Sequence, residues 1–228
     1  NNIKSTFMDT FEIKNINKNT TLMMDMDGTI LDLAYDSHIW LKLIPSIYAD
    51  NMNISIDDAS SILQKEVLKM ENSLKWYCID HWSELLDIDI LGAHELEKDK
   101  IRYLPGAESF LKKVSKSEIR TILVTNSHRD TLNLKIKETG LDKYFNDIYI
   151  SHDFDAPKEN QLFWKRFQSV ECFVKNKTIF VDDNVNVLKS AEKFGLGSLI
   201  QILYPDSSSA EIKKSQFKGI RNLTQLLF

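Results

Sequence analysis

The amino-acid sequence predicts an α/β fold, a doubly wound parallel sheet with an inserted all-helical unit. Three observations lead there. Short apolar runs recur along the chain, segments with helical spacing separate most of them, and the stretch between Asp32 and Arg102 shows helical patterns without a strand. With 228 residues, 43% of them hydrophobic, and only 7 Gly and 4 Pro, the chain can bury one large domain or a domain carrying a smaller one. That balance disfavours disorder and fibrous repeats.

Taken in order, residues 1–20 are rich in Asn, Lys and Thr with weak periodicity, and are expected to lead loosely into the domain. The first buried strand is expected at Thr21 to Met26. In the helical stretch Ala59, Leu63, Val67 and Met70 share one face, with Asp57 or Asp58 as the expected N-cap. Ile79, Trp82 and Leu86 form a second stripe, so two or more antiparallel helices can pack there. Pro105 signals the next helix start, and Phe110, Leu111 and Val114 give its apolar face before a strand over Ile119 to Thr125. Leu132 and Ile136 lie on a helix that stops at Gly140, and a strand follows at Asp147 to Ile150. Phe163 and Phe167 mark the helix before the strand Thr178 to Asp182. Val187, Leu188, Ala191 and Phe194 mark another, closed by Gly195 ahead of a last strand at Ser198 to Leu203. The core is thus expected in residues 1–31 and 104–228, and the helical unit in residues 32–103.

A formal net charge of -4 with dispersed basic residues offers no cationic stripe to a nucleic acid polymer or a membrane, so an anionic small molecule would need a local site. Cys78 and Cys172 have neither a disulfide-framework nor a metal-ligand spacing and suit a reducing compartment. No apolar run approaches a membrane span and residues 1–20 lack a secretory signal's apolar stretch, so a cytoplasmic location is expected.

Four segments can carry chemistry. Asp25-Met26-Asp27-Gly28-Thr29 follows the first apolar run. In an extended chain residues two apart face the same way, so Asp25 and Asp27 present two carboxylates to one spot, and Gly28 lets the chain turn. An ordinary Asp-Gly turn is the plain alternative. Asp182-Asp183-Asn184 closes the run Ile179-Phe180-Val181, where a helix N-cap explains one acid better than two. If the two strands are neighbours, four carboxylates converge and their repulsion calls for a cation, for which hard oxygen ligands suit Mg²⁺. Thr125-Asn126-Ser127 ends another strand, where a hydroxyl and backbone N–H groups can hold phosphate oxygens. Lys158, beside Pro157, either neutralises such a cluster or is a solvated surface lysine.

Acids, hydroxyl, lysine, acids, each after a strand: in this order the sequence from about Thr21 onward resembles the haloacid dehalogenase-like superfamily. The resemblance implies a Rossmann-like core, a small helical cap between the first two motifs, and hydrolysis of phosphate monoesters. Asp25 would attack phosphorus to form an aspartyl-phosphate and Asp27 would act as general acid and base. Gly28, Thr29, Thr125, Asn126 and Ser127 would surround the phosphate, with Lys158 balancing charge. Mg²⁺ would be held by the Asp25 carboxylate, the Asp27 backbone carbonyl and Asp183, while Asp182 orients a metal-bound water or Lys158. The dehalogenase branch lacks the second aspartate, and the transport ATPases carry Lys-Thr in place of Met26-Asp27, so neither fits. Sugar-phosphate phosphatases and phosphomutases remain in competition, as does a non-catalytic phosphate-binding protein, against which the intact motifs speak.

The stretch Leu74 to Glu84, with Asp32 to Asp36 and Thr125 to His128, is similar to the bacterial GMP/IMP 5'-nucleotidases, which implies purine nucleoside monophosphates as substrates. Trp82 belongs to the packing stripe. Trp76, Tyr77 and His81 are open between packing and a stacking face for a planar base, and His128 between substrate contact and a surface helix start. One departure concerns Asp155-Ala156, which precede Pro157-Lys158 where a glycine-containing turn is expected.

Overall fold

The computed structural model describes residues 11–12 and 19–227, so most of the expected N-terminal lead-in lies outside the described residues. Strand β1 (Phe11–Glu12) makes a short parallel pair with β8 (Leu226–Leu227). The main sheet is formed by β2 (Thr21–Met24), β3 (Arg120–Thr125), β4 (Asp147–Ile150), β5 (Thr178–Asp182), β6 (Ser198–Ile202) and β7 (Lys218–Ile220). Every pairing in it is parallel and the order is β4-β3-β2-β5-β6-β7. The chain therefore steps outward from β2 in one direction, then crosses back to β5 and steps outward in the other. Between β2 and β5 the connections diverge and leave a crevice at the carboxyl ends of the strands.

Between β2 and β3 the chain is helical. The first helix, α1 (Ala34–His38), runs through a π-helical stretch at Ile39–Leu43 into α2 (Ile44–Met52), followed by α3 (Ile56–Met70), α4 (Ile79–Leu86) and α5 (Ile90–Leu96). This insertion has its own apolar cluster, built on Tyr35, Ile39, Leu63, Ile79, Trp82 and Leu86. The N-cap of α3 is Ser55, not an aspartate: its Oγ accepts from the Asp58 N–H at 3.1 Å, while Asp58 sits in the first turn and accepts from the Ser55 hydroxyl at 2.7 Å. Both types cap well, so composition alone could not choose between them.

The sheet is covered on both faces. Leu22, Met24, Leu123 and Val181 pack with α6 (Ala107–Val114) and α7 (Arg129–Thr139), and Met23, Val124 and Phe180 pack with α8 (Gln161–Val170) and α9 (Val185–Phe194). Burial on two sides is why these strands read as unbroken apolar runs. β7 was not expected: it is three residues long, at a sheet edge, and contains Gly219, where a Cβ would come 2.8 Å from Leu203. Among the described residues no helix is long and apolar enough to cross a membrane.

Candidate active site

Met24 on β2 lies opposite Val181 on β5, so Asp25 and Asp182 leave their strands side by side, and the Asp25 N–H still donates to the Val181 carbonyl at 3.0 Å. Lys158 joins them. Its Nζ lies 2.6 Å from Asp25 Oδ1, 2.8 Å from Asp182 Oδ2 and 3.1 Å from the Val124 carbonyl, so one ammonium ties together the ends of β2, β3 and β5. The lysine is buried, and its backbone is pinned by Asn126 Oδ1, which accepts from its N–H at 2.9 Å, and by Trp164 Nε1, which donates to its carbonyl at 2.8 Å. The turn ahead of it needs no glycine because Asp155 adopts the left-handed conformation at φ 50°, which aspartate tolerates better than most residues.

Asp183 completes a group: Asp25, Asp182 and Asp183 offer carboxylate oxygens that all lie within 4.8 Å of one another. Two buried carboxylates and the half-buried Asp183 stand around one ammonium. Burial pushes Asp25 up to about 8 against the pull of Lys158, with Asp182 and Asp27 adding to the rise. Burial, then Asp182 and Asp25, raise Asp183 well above the usual carboxylate range, and burial raises Asp182 against Lys158. Such a set takes up either protons or a cation, and its all-oxygen donors fit a hard divalent ion. Gly28, at φ 85°, leaves no room for a side chain: a Cβ would stand 2.8 Å from the Asp183 carboxylate and 3.0 Å from Pro205. The Thr29 Oγ1 is buried beside this turn without a hydrogen-bond partner among the described residues.

Asp27 takes a different partner. Its Oδ1 accepts from Lys135 Nζ at 2.7 Å, and the same ammonium reaches both Asp36 oxygens at 2.8 and 2.9 Å. Burial lifts Asp27 to about 6, with Lys135 opposing and Asp36 adding to the rise. At the end of β3, Thr125 Oγ1 accepts from the Ser127 N–H at 3.0 Å, and Ser127 Oγ lies 2.7 Å from Thr131 Oγ1. Asn126 Nδ2 donates to Glu159 Oε2 at 3.0 Å, so the loop after β3 and the segment after Lys158 form one unit. Lys135, Asp36 and Glu159 were not singled out as site residues from the sequence. Lys135 lies three residues after Leu132 on a helix face that also carries Thr131 and Thr139, so no local signal marks it.

Residues 22–200 match the haloacid dehalogenase-like hydrolase family. The chain belongs to that family. It is 30% identical over 207 residues to the GMP/IMP nucleotidase YrfG of Escherichia coli (strain K12), covering 91% of this chain and 93% of that protein. In structure it resembles a HAD phosphatase from Thermococcus onnurineus, with a TM-score of 0.72 at 21% identity over 90% of this chain and 95% of the other. A Thermotoga maritima structure described as a β-phosphoglucomutase gives a TM-score of 0.63 at 14% identity over 90% and 94%.

In this haloacid dehalogenase-like hydrolase the insertion reaches the core through two of the aromatic-stretch residues. The Tyr77 hydroxyl donates to Glu159 Oε1 at 2.5 Å, next to Lys158, and the Asp80 carboxylate lies 3.5 Å from His128 Nε2, next to Ser127. His128 also caps α7, its Nδ1 accepting from the Asp130 N–H at 3.4 Å. Trp76 and His81 are half-buried: the Trp76 ring lies beside Tyr77, and its carbonyl accepts from Trp82 Nε1 at 2.8 Å, while His81 packs edge-on against Trp82. Trp82 itself, at 2% exposure, belongs to the core of the insertion, as its helical stripe predicts.

Proposed function

We propose that this hydrolase removes phosphate from purine nucleoside 5'-monophosphates through an aspartyl-phosphate on Asp25, with Mg²⁺ as cofactor. The observation that carries the reading is the convergence of Asp25, Lys158 and Asp182 between β2 and β5, with Asp183 left uncompensated by the single ammonium.

An Asp25 oxygen attacks phosphorus as the bond to the leaving alkoxide breaks, and Asp27 gives that alkoxide its proton. Water then attacks the phosphorus of the acyl-phosphate, Asp27 takes its proton, and the Asp25 carboxylate is restored. Thr125 with the backbone of Asn126 and Ser127, and the turn at Gly28 and Thr29, hold phosphate oxygens; Lys158 balances their charge. Asp25, Asp183 and the Asp27 carbonyl would hold Mg²⁺, which when bound supplies positive charge to the phosphoryl oxygens. Asp182, bonded to Lys158 at 2.8 Å, orients that lysine.

Residues 32–103 act as a cap that excludes water and selects the leaving group. The contacts Tyr77 to Glu159 and Asp80 to His128 support a seat over the phosphate loop. The 30% identity to the GMP/IMP nucleotidase over 91% of the chain supports a purine, with Trp76, Tyr77, His81 and His128 as the residues that meet it. Phosphate release with Mg²⁺ across GMP, IMP, AMP, pyrimidine monophosphates and sugar phosphates tests this. Turnover of GMP and IMP is expected; turnover confined to sugar phosphates would reject the nucleotidase reading in favour of a sugar-phosphate phosphatase or mutase.

A further inference from the structure

Two lysines, Lys135 and Lys158, are among the most completely buried side chains of the described residues, and the chemistry above uses only Lys158. Lys135 stands on α7, 1% exposed, with Nζ 2.7 Å from Asp27 Oδ1 and 2.8 and 2.9 Å from the two oxygens of Asp36. An ammonium has three N–H donors, and three carboxylate oxygens surround this one. It therefore has no donor left for a phosphate. The Tyr35 ring lies 5.4 Å from Nζ and is itself held by His94, whose carbonyl accepts from the Tyr35 hydroxyl at 2.8 Å and whose Nδ1 lies 2.9 Å from it.

Burying a charged lysine against two carboxylates is a poor way to stabilise a fold, because desolvation offsets most of the attraction. The placement suits orientation better. Asp27 follows the end of β2, Lys135 comes from the helix after β3, and Asp36 comes from α1 at the start of the insertion, so the contact links three separate segments. We propose that Lys135, itself held by Asp36, is a positioning residue for Asp27: it fixes the orientation of the acid/base carboxylate and ties that orientation to the seating of α1. This rests on the reading of Asp27 as general acid and base.

The test exploits the leaving group. A nucleoside alkoxide needs a proton from Asp27 to depart, whereas p-nitrophenolate departs with little help, and kcat/KM reports the steps through phosphorylation of Asp25. With GMP, Asp27→Asn should lower kcat/KM by about 10²–10⁴, and far less with p-nitrophenyl phosphate. Lys135→Met should show the same bias, losing about ten- to a hundredfold with GMP and under about threefold with the aryl ester, as a misplaced catalytic group does. In the Asp27→Asn background Lys135→Met should cost nothing further, since it acts through a group already removed. Asp36→Asn, which keeps the contact between Lys135 and Asp27, should give a smaller loss with the same bias, and it decides the matter if Lys135→Met does not fold.

Equal losses on both substrates, or a loss that multiplies with that of Asp27→Asn, would overturn the proposal. If Asp27→Asn itself shows no leaving-group bias, the acid/base reading falls and the proposal with it. Should GMP not be a substrate while another alkyl phosphate is, the same comparison holds with that ester, which separates failure of the substrate assignment from failure of the positioning role.

Discussion

Replacing Lys158 by methionine removes the buried ammonium while keeping most of the side-chain volume. Asp25 and Asp182, now held at 2.6 and 2.8 Å from that charge, are left without it, and Asp183 stays beside them. Removing one partner of a buried ion pair costs about 3–5 kcal/mol, because the remaining charge is stranded away from water. The carboxylates can escape part of this by taking up protons, which makes the cost depend on pH. Asp25 already lies above its ordinary 3.8, at about 8. A carboxyl raised on folding contributes stability that is fully present below its unfolded value and is lost as the pH rises through its folded one. Without Lys158 that value moves further up, so the variant is weakest in alkaline, chelated buffer.

For a chain of this size each kcal/mol moves the melting temperature by about 2–4 °C, so the expected drop is about 6–20 °C at about pH 8.5 in EDTA. A much smaller drop is expected near pH 6, and Mg²⁺ should restore part of the loss by offering the same carboxylates another positive charge. Calorimetric melts of parent and variant at both pH values, with EDTA and with Mg²⁺, measure all of this. A variant that melts within about 2 °C of the parent in alkaline EDTA would refute the claim that Lys158 compensates this cluster.

Asp25→Asn should abolish turnover while binding of a phosphate ester, followed by calorimetry, survives; an active variant removes Asp25 as the nucleophile. Gly28→Ala should destabilise the protein by about 1–3 kcal/mol, since φ 85° strains any side chain and the Cβ would press on Asp183. It should also blunt the rise in melting temperature on adding Mg²⁺, and an unchanged response would show that Asp183 is not a ligand. Burial depresses His94 to about 3, below its ordinary 6.5, so its share of stability is lost as the pH falls from 6.5 towards 3. Urea titrations of His94→Asn should show a shallower decline across that window, and identical slopes would mean that His94 is not held neutral.

The strands that build the site are legible in the sequence because burial on both faces forces unbroken apolar runs such as Ile179-Phe180-Val181, and the acids mark where each run ends. β7 is hidden because a short edge strand with Lys218 and Gly219 carries no such run. The Asp155 turn looks irregular in sequence and is regular in space, since an aspartate occupies the left-handed position expected of a glycine. Lys135 is the instructive omission. A lysine on a helix ordinarily marks the solvated face, and nothing local distinguishes one whose partner, Asp27, lies 108 residues earlier in the chain. Its burial is a property of the tertiary arrangement alone.

Asp25 and Asp27 share one turn, yet each meets a different buried lysine, and their environments separate them, to about 8 and about 6. Two carboxyls driven apart in this way can serve different roles, which the spacing Asp-x-Asp does not itself dictate. The higher value belongs to the cluster in which one ammonium, that of Lys158, stands among three carboxylates. If Asp25 and Asp183 hold protons at neutral pH, a divalent ion entering among them must displace those protons, so binding and proton release are linked. Titration calorimetry of Mg²⁺ in buffers of different ionisation enthalpy counts the protons. About one per ion is expected near pH 7, fading above about pH 9 as the cluster loses its protons unaided, with affinity rising over the same interval. Asp25→Asn should reduce the count. Binding without proton release near neutral pH would show that the carboxyls are already ionised, and that Lys158 alone balances a cluster three charges strong.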